Sequence, residues 1–381
     1  MTAGQKRSTK SRLHPAGRVI VAALAVLLTL LLSAHVALAL RFNTTYVSER
    51  LDNAVMAGTD SLYRARIESA RFSLFGRSFA ITGLRIYPDT AVFRRRDSAS
   101  QIRRTKYSLT AGSVRGTGLG LRRLLGGGLQ LAAVSLDSLL LEVELDNARL
   151  REPPATAAIL PHLRFWSIKE PIRIGRIVIA RSHVVYAERA FDGSRFGTVG
   201  FTEIAGTFSN VTNDPRRMSR AAPCVVELRS RVGGGGWLVA HFEWDLSTPG
   251  LNLNYHGTIA GMDARPLNSM VVALQGLRIR SGHMDATKFN VRVEDDSATG
   301  ELQVLYHDLE VETLDKDSGN RGVGDVLGTF FANHFKLHSG NPSGDKPPRT
   351  SALALRRVPE FPLFKFIWHT LRPGLFENAG I

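Results

Sequence analysis

The sequence predicts a mainly β protein: an N-terminal transmembrane helix, then a curved, largely antiparallel sheet forming a groove, finished by C-terminal capping helices. Three observations predict it. A long apolar run fills residues 19–40 behind a basic leader. Through residues 72–311, apolar residues recur at every second position in one segment after another. From Val323 onward the apolar spacing becomes helical. The same alternation also fits a closed sandwich or barrel, which is the alternative architecture.

Lys6, Arg7, Lys10, Arg12 and Arg18 precede the apolar run, and no acidic residue appears before Glu49. At 1.5 Å per residue such a run crosses the ~30 Å hydrocarbon core of a bilayer. Thr29, Ser33 and His35 interrupt it, but a helix supplies their backbone partners internally. The cationic flank holds the N-terminal end in the cytoplasm and sends the body across. Ala37-Leu38-Ala39 also fits a cleavage site, yet the run exceeds the ~7–15 residue core of a cleaved signal, so an anchor is preferred. The chain then divides into a cytoplasmic tail (1–18), an anchor (19–40), a helix with a first β region (41–150), a main β region (151–316) and a helical cap (317–381).

A hydrophobic content of 44% is enough to bury a core. The single cysteine, Cys224, excludes an internal disulfide framework. Lys and Arg number 49 against 34 acidic residues, a formal charge of +15. On an exported chain that excess suits lipid headgroups, lipopolysaccharide phosphates or cell-wall polymers rather than nucleic acid. Arginine favoured by codon usage would give the same excess without any partner.

Residues 43–74 read as helical, with Leu51, Val55, Leu62 and Ile67 on one face. Phe79-Ala80-Ile81 and 84–87 read as short strands closed by Pro88-Asp89. Residues 97–106 read as a loop, and the glycine-rich stretch 112–128 as flexible. Leu139, Leu141, Val143 and Leu145 then alternate with Leu140, Glu142, Glu144 and Asp146, a half-buried strand. The Pro/Ala-rich stretch 151–161 is the best internal boundary. Residues 172–186 read as two strands joined near Arg181-Ser182-His183, and 199–208 as another. Residues 224–232 and 237–246 flank four glycines, a hairpin signature. Within its second arm, Leu238, Ala240, Phe242, Trp244 and Leu246 oppose His241, Glu243 and Asp245. Leu251, Leu253 and Tyr255, then Phe289, Val291 and Val293, alternate in the same way. The apolar set Leu302, Val304 and Tyr306 changes parity to Leu309 and Val311, which places a bulge near His307-Asp308. Val323, Val326, Leu327, Phe330 and Phe331 form one helical stripe, and Phe364, Ile367, Trp368, Leu371 and Leu375 another.

No enzyme, metal site or cofactor is expected. The histidines lack metal-ligand spacing. His307 and Asp308 are strand neighbours pointing to opposite faces. Gly116-Thr117-Gly118-Leu119-Gly120 lacks the spacing of a dinucleotide fingerprint.

Ser281-Gly282-His283-Met284-Asp285, Thr299-Gly300-Glu301-Leu302 and the run from Leu305 to Val311 resemble the C-terminal region of AsmA-like envelope proteins. Phe331-Ala332-Asn333, Asn341-Pro342 and Phe366-Ile367-Trp368 stand where that family has its helix, Asn-Pro loop and final aromatic segment. Val185-Tyr186-Ala187-Glu188, the run from Gly197 to Phe201 and Asn210-Val211-Thr212-Asn213 are similar as well. Thr299 departs from the pattern, which has a second glycine there. The resemblance to AsmA and TamB implies an inner-membrane anchored β-groove facing the periplasm, handling lipid for envelope homeostasis. A 16-carbon acyl chain costs roughly 12 kcal/mol to expose to water, at ~0.8 kcal/mol per CH₂, and an apolar groove removes much of that cost. On this reading the groove candidates are Leu139, Leu141, Val143, Leu238, Phe242, Trp244, Phe289 and Val291, with phospholipid acyl chains as ligand. The competing expectation is a membrane-tethered scaffold that binds a protein partner or an anionic envelope polymer.

Overall fold

The structure is a computed structural model that describes residues 43–98, 105–120, 122–123, 127–146, 160–190, 195–314, 338–359, 361 and 363–379. The expected anchor and the stripe from Val323 to Phe331 lie outside them. No helix among the described residues is long and apolar enough to cross a membrane, which says nothing of strands.

The Asn43 side chain accepts from the Tyr46 N–H and caps α1 (Thr44–Gly58). The helix does not continue to residue 74. Asp60 and Ser61 adopt φ of 50° and 63°, turning the chain into β1 (Tyr63–Arg66) and β2 (Ser69–Ser73). Asp52 of α1 accepts from both the Arg64 guanidinium and the Ala65 N–H, which ties the helix to β1. The two short strands expected at 79–87 are one strand, β3 (Ser78–Pro88), and Asp89, read as part of a closing turn, caps α2 (Thr90–Ser98), whose last two residues overlap the loop expected at 97–106. β4 (Thr105–Thr117) takes in Gly112 and Gly116, so the first part of the glycine-rich stretch is sheet. β5 (Leu129–Asp146) precedes α3 (Pro161–Trp166), and β6 (Ile172–Arg189) is one strand where two were expected.

β7 (Phe196–Thr212) leads to the hairpin of β8 (Cys224–Val232) and β9 (Trp237–Asp245) across the glycines, as the sequence suggests. β10 (Asn252–Asp263), a 3₁₀ turn and α4 (Asn268–Gln275) follow. β11 (Leu277–Glu294) and β12 (Ser297–Thr313) pair next, then β13 (Ser351–Arg356), a strand within the stretch expected to be a helical cap, and α5 (Leu363–Ala379).

All 13 strands join one curved sheet ordered β1-β3-β4 and onward to β13, with β2 also on β3. Its two ends do not pair, so the sheet is open rather than a closed barrel. Among the described strands only β5 and β6 run parallel; the connection between them contains α3 and the Pro/Ala-rich stretch, since a parallel pair needs a crossover.

The merged strands share one cause. Gly83, Ser138, Arg181 and Glu203 have φ of 61°, 54°, 48° and 53°. They fall at adjoining register positions across β3, β5, β6 and β7. Each reverses the parity of its strand; the β3–β4–β5–β6 register runs through them unshifted, and the ladder slips only between β6 and β7 and between β7 and β8. In β5 the inward set passes from Val134 and Leu136 to Leu139, Leu141 and Val143 without changing face. Sequence alone makes such a switch look like a turn. The bulge expected near His307-Asp308 is present, with Asp308 at φ 52°.

Candidate functional site

Paired residues in adjacent strands share a face, so register identifies continuous surfaces. One row runs Phe79, Gly116, Val134, Ile177, Phe208, Val226, Phe242, Tyr255, Val291, Gly300 and Leu353, from β3 to β13 without a charged side chain. A second row, Ile81, Val114, Leu136, Ile179, Gly206, Leu228, Ala240, Gly257, Phe289 and Leu302, lies beside it. Between them, on the opposite face, run Arg115, Ser135, Val178, Thr207, Glu227, His241, His256, Asn290 and Glu301. At two of the four glycines an aromatic ring covers the strand. A Cβ on Gly116 would stand 2.2 Å from the Phe79 ring, and one on Gly257 2.5 Å from Phe289. At ~4.8 Å between strands, the first row is ~48 Å long.

α5 lies across this apolar face. Phe366, fully buried, packs with Leu253, Tyr255, Val291, Leu302 and Leu353. The ring of Phe364, near the N-terminus of the same helix, lies 5.8 Å from Tyr186 of β6. β6 and β12 are six steps apart in the sheet order, ~29 Å if the sheet were flat. A helix of 17 residues is ~25 Å long, so it bridges that width only because the sheet curls toward it. The apolar face is therefore the concave one.

The structure divides the eight sequence-predicted groove residues. Val291 is 1% exposed, and Phe242, Trp244 and Phe289 pack against the same core under α3 and α5, filled by the protein's own side chains. Leu238 is half-buried between Ser230 and Ile259. Leu139, Leu141 and Val143 are half-buried and belong to none of the three buried clusters. Their neighbours are Leu109, Val184, Phe201 and Val232 in the Leu141 row, and Tyr107, Tyr186 and Val199 in the Val143 row. Contact of Tyr186 with α5 places these rows on the concave face too. Alternation alone does not mark Ile177, Phe208 or Val226 as groove residues; their signal is register, which period does not contain.

Polar candidates behave as structural groups. Tyr306 points inward and donates to the Asn378 carbonyl at 3.0 Å, while His307 faces outward onto Asp285 at 3.0 Å, a contact that raises its pKa. Cys224 is buried, and burial pushes its thiol up to about 11, leaving it protonated.

His162 of α3 is 1% exposed, its ring against Trp166 and Trp244 and its Nε2 at 3.2 Å from the Pro249 carbonyl. Burial holds its pKa below the usual histidine value, and the carbonyl bond opposes that shift only in part. His369 of α5 is lowered in the same direction, by burial and then by Lys365 and Arg372. The unfolded chain thus takes up protons on these rings before the folded one does. Stability contributed by the neutral rings is present above about pH 6.5 and lost as pH falls below it. Urea midpoints between pH 8 and pH 5 should fall with acidification, and more shallowly in His162→Gln. An unchanged slope in that variant would place the buried titration elsewhere.

No known protein family matches the sequence and no curated protein matches it, so any functional reading rests on the residues and the fold.

Proposed function

We propose that the chain is an inner-membrane anchored, periplasmic β-groove protein of AsmA-like type that binds or moves lipids for envelope homeostasis. The observation that carries this reading is the continuous apolar surface on the concave face, with its Leu141 and Val143 rows across β4–β7 left half-exposed. Burial of an acyl chain there removes apolar surface from water on both partners, at about 25 cal/mol per Å². The covered part under α5 acts as a stop that closes one end, and the open part takes the chain. The solvated outer rows keep the sheet soluble on its other side.

A photo-crosslinker at Leu141 or Val143 should capture lipid in cells, and one at Glu142 should not. The same group at Phe242 or Phe289 should give only crosslinks within the protein, because α3 and α5 fill that region. Protein crosslinks alone from Leu141 and Val143 would remove lipid handling. The membrane-tethered scaffold would then be the better account, with a protein partner on the open face.

A further inference from the structure

At the end of the sheet where β5 and β6 begin and β7 finishes, a cavity opens between three connections, β4–β5, β5–β6 and β7–β8. Arg123, Pro171, Asp214, Arg216 and Arg217 line it. Asp214 is 9% exposed and organises the site. Its Oδ2 accepts from the Arg123 guanidinium at 3.4 Å, its Oδ1 from the Arg216 N–H at 3.2 Å, and its carbonyl from the Arg217 N–H at 2.9 Å. That carboxylate is the one acidic group on the cavity wall. Three guanidinium groups against one carboxylate leave two positive charges there. Among the described residues, neither Arg216 nor Arg217 has an acidic partner within ion-pair distance.

The cavity adjoins the apolar face. The Leu129 N–H donates to the Pro171 carbonyl at 2.9 Å, and the Leu129 side chain packs against the cluster of Leu119, Leu131 and Val134. A cationic recess thus sits at the foot of the concave surface. Arginine forks match phosphate oxygens in paired hydrogen bonds, and partial enclosure strengthens such contacts over those in open water. We propose that Arg123, Arg216 and Arg217 form a phosphate-binding site, the anchor for the headgroup of an amphiphile whose apolar part lies on the adjoining face. The headgroup assignment rests on the groove reading; the anion site does not.

Titration of the purified full chain with dihexanoyl phosphatidic acid, dihexanoyl phosphatidylcholine and inorganic phosphate tests this, beside the double variant Arg216→Gln/Arg217→Gln. Both arginines are exposed, so the urea midpoint of that variant should be unchanged. Phosphatidic acid should bind more tightly than phosphatidylcholine, more weakly as salt rises, and at least about tenfold more weakly to the double variant. Inorganic phosphate weaker than phosphatidic acid identifies a lipid headgroup as the ligand. Phosphate as tight as the lipid, and lost in the same variant, identifies a free anion. Affinity for both ligands unchanged in the double variant, or no binding of either to the native chain, overturns the site. Lipid captured at Leu141 alongside unchanged phosphatidic acid affinity would remove the pocket alone. Phosphate binding without lipid capture would remove the groove alone.

Discussion

Phe366→Ala should destabilise the protein by about 3–5 kcal/mol, the range for deleting a buried aromatic ring from a core that cannot collapse around the gap. Phe366 is 0% exposed and meets residues of β10, β11, β12 and β13 together. Those strands are held by their own ladders, so the cavity would stay open. Phe364→Ala on the same helix is the control. Phe364 is 50% exposed and has its ring contact with Tyr186, so its loss should stay within about 1.5 kcal/mol. Urea denaturation of both variants measures the difference. Equal losses would mean that α5 presents another face to the sheet.

Asn378→Ala should cost several kcal/mol although it removes little volume. Asn378 is 1% exposed. Its Oδ1 accepts from the Val304 N–H at 3.1 Å, and its Nδ2 donates to Ser351 Oγ at 2.7 Å and to the Gly374 carbonyl at 2.9 Å. Asn341, fully buried, donates to the same Oδ1 at 3.1 Å and to the Val304 carbonyl at 2.6 Å. Alanine at 378 leaves the buried Val304 N–H without a partner, at about 1–3 kcal/mol, and removes the bonds to Ser351, Gly374 and Asn341 as well, each worth about 1 kcal/mol. Because the two asparagines share one network, Asn341→Ala and Asn378→Ala should be non-additive by about 0.5–3 kcal/mol in a double-mutant cycle. Strict additivity would show that the two amides hold α5 and the 341–350 loop independently.

Strand character was legible wherever alternation stayed in phase. The β8–β9 hairpin and the inward sets Leu251, Leu253, Tyr255 and Phe289, Val291, Val293 follow from period and from the four glycines. The parity change at Asp308 could be read because both flanking sets are strongly apolar. At Gly83 and Arg181 the same device was read as a boundary between strands, since a left-handed residue and a turn leave the same local trace. β13 was missed because Ala352 and Ala354 weaken the contrast in a segment of six residues. Leu62 and Ile67 fit a helical stripe by spacing alone, but the left-handed pair Asp60-Ser61 ends the helix first.

The groove candidates show the same division. Sequence determined which side is apolar in the strands whose alternation stays in phase, because a two-residue period assigns faces without knowing the neighbours. It could not say which apolar positions meet one another, since that depends on register across strands distant in the chain. Nor could it separate Leu141 from Phe242, which have the same pattern. The course of α5 over Phe242 and not over Leu141 decides that one packs a core and the other stays half-exposed. The convergence of Arg123 with Arg216 and Arg217 was likewise invisible, because their separation in sequence is closed only by the pairing of β5, β6 and β7.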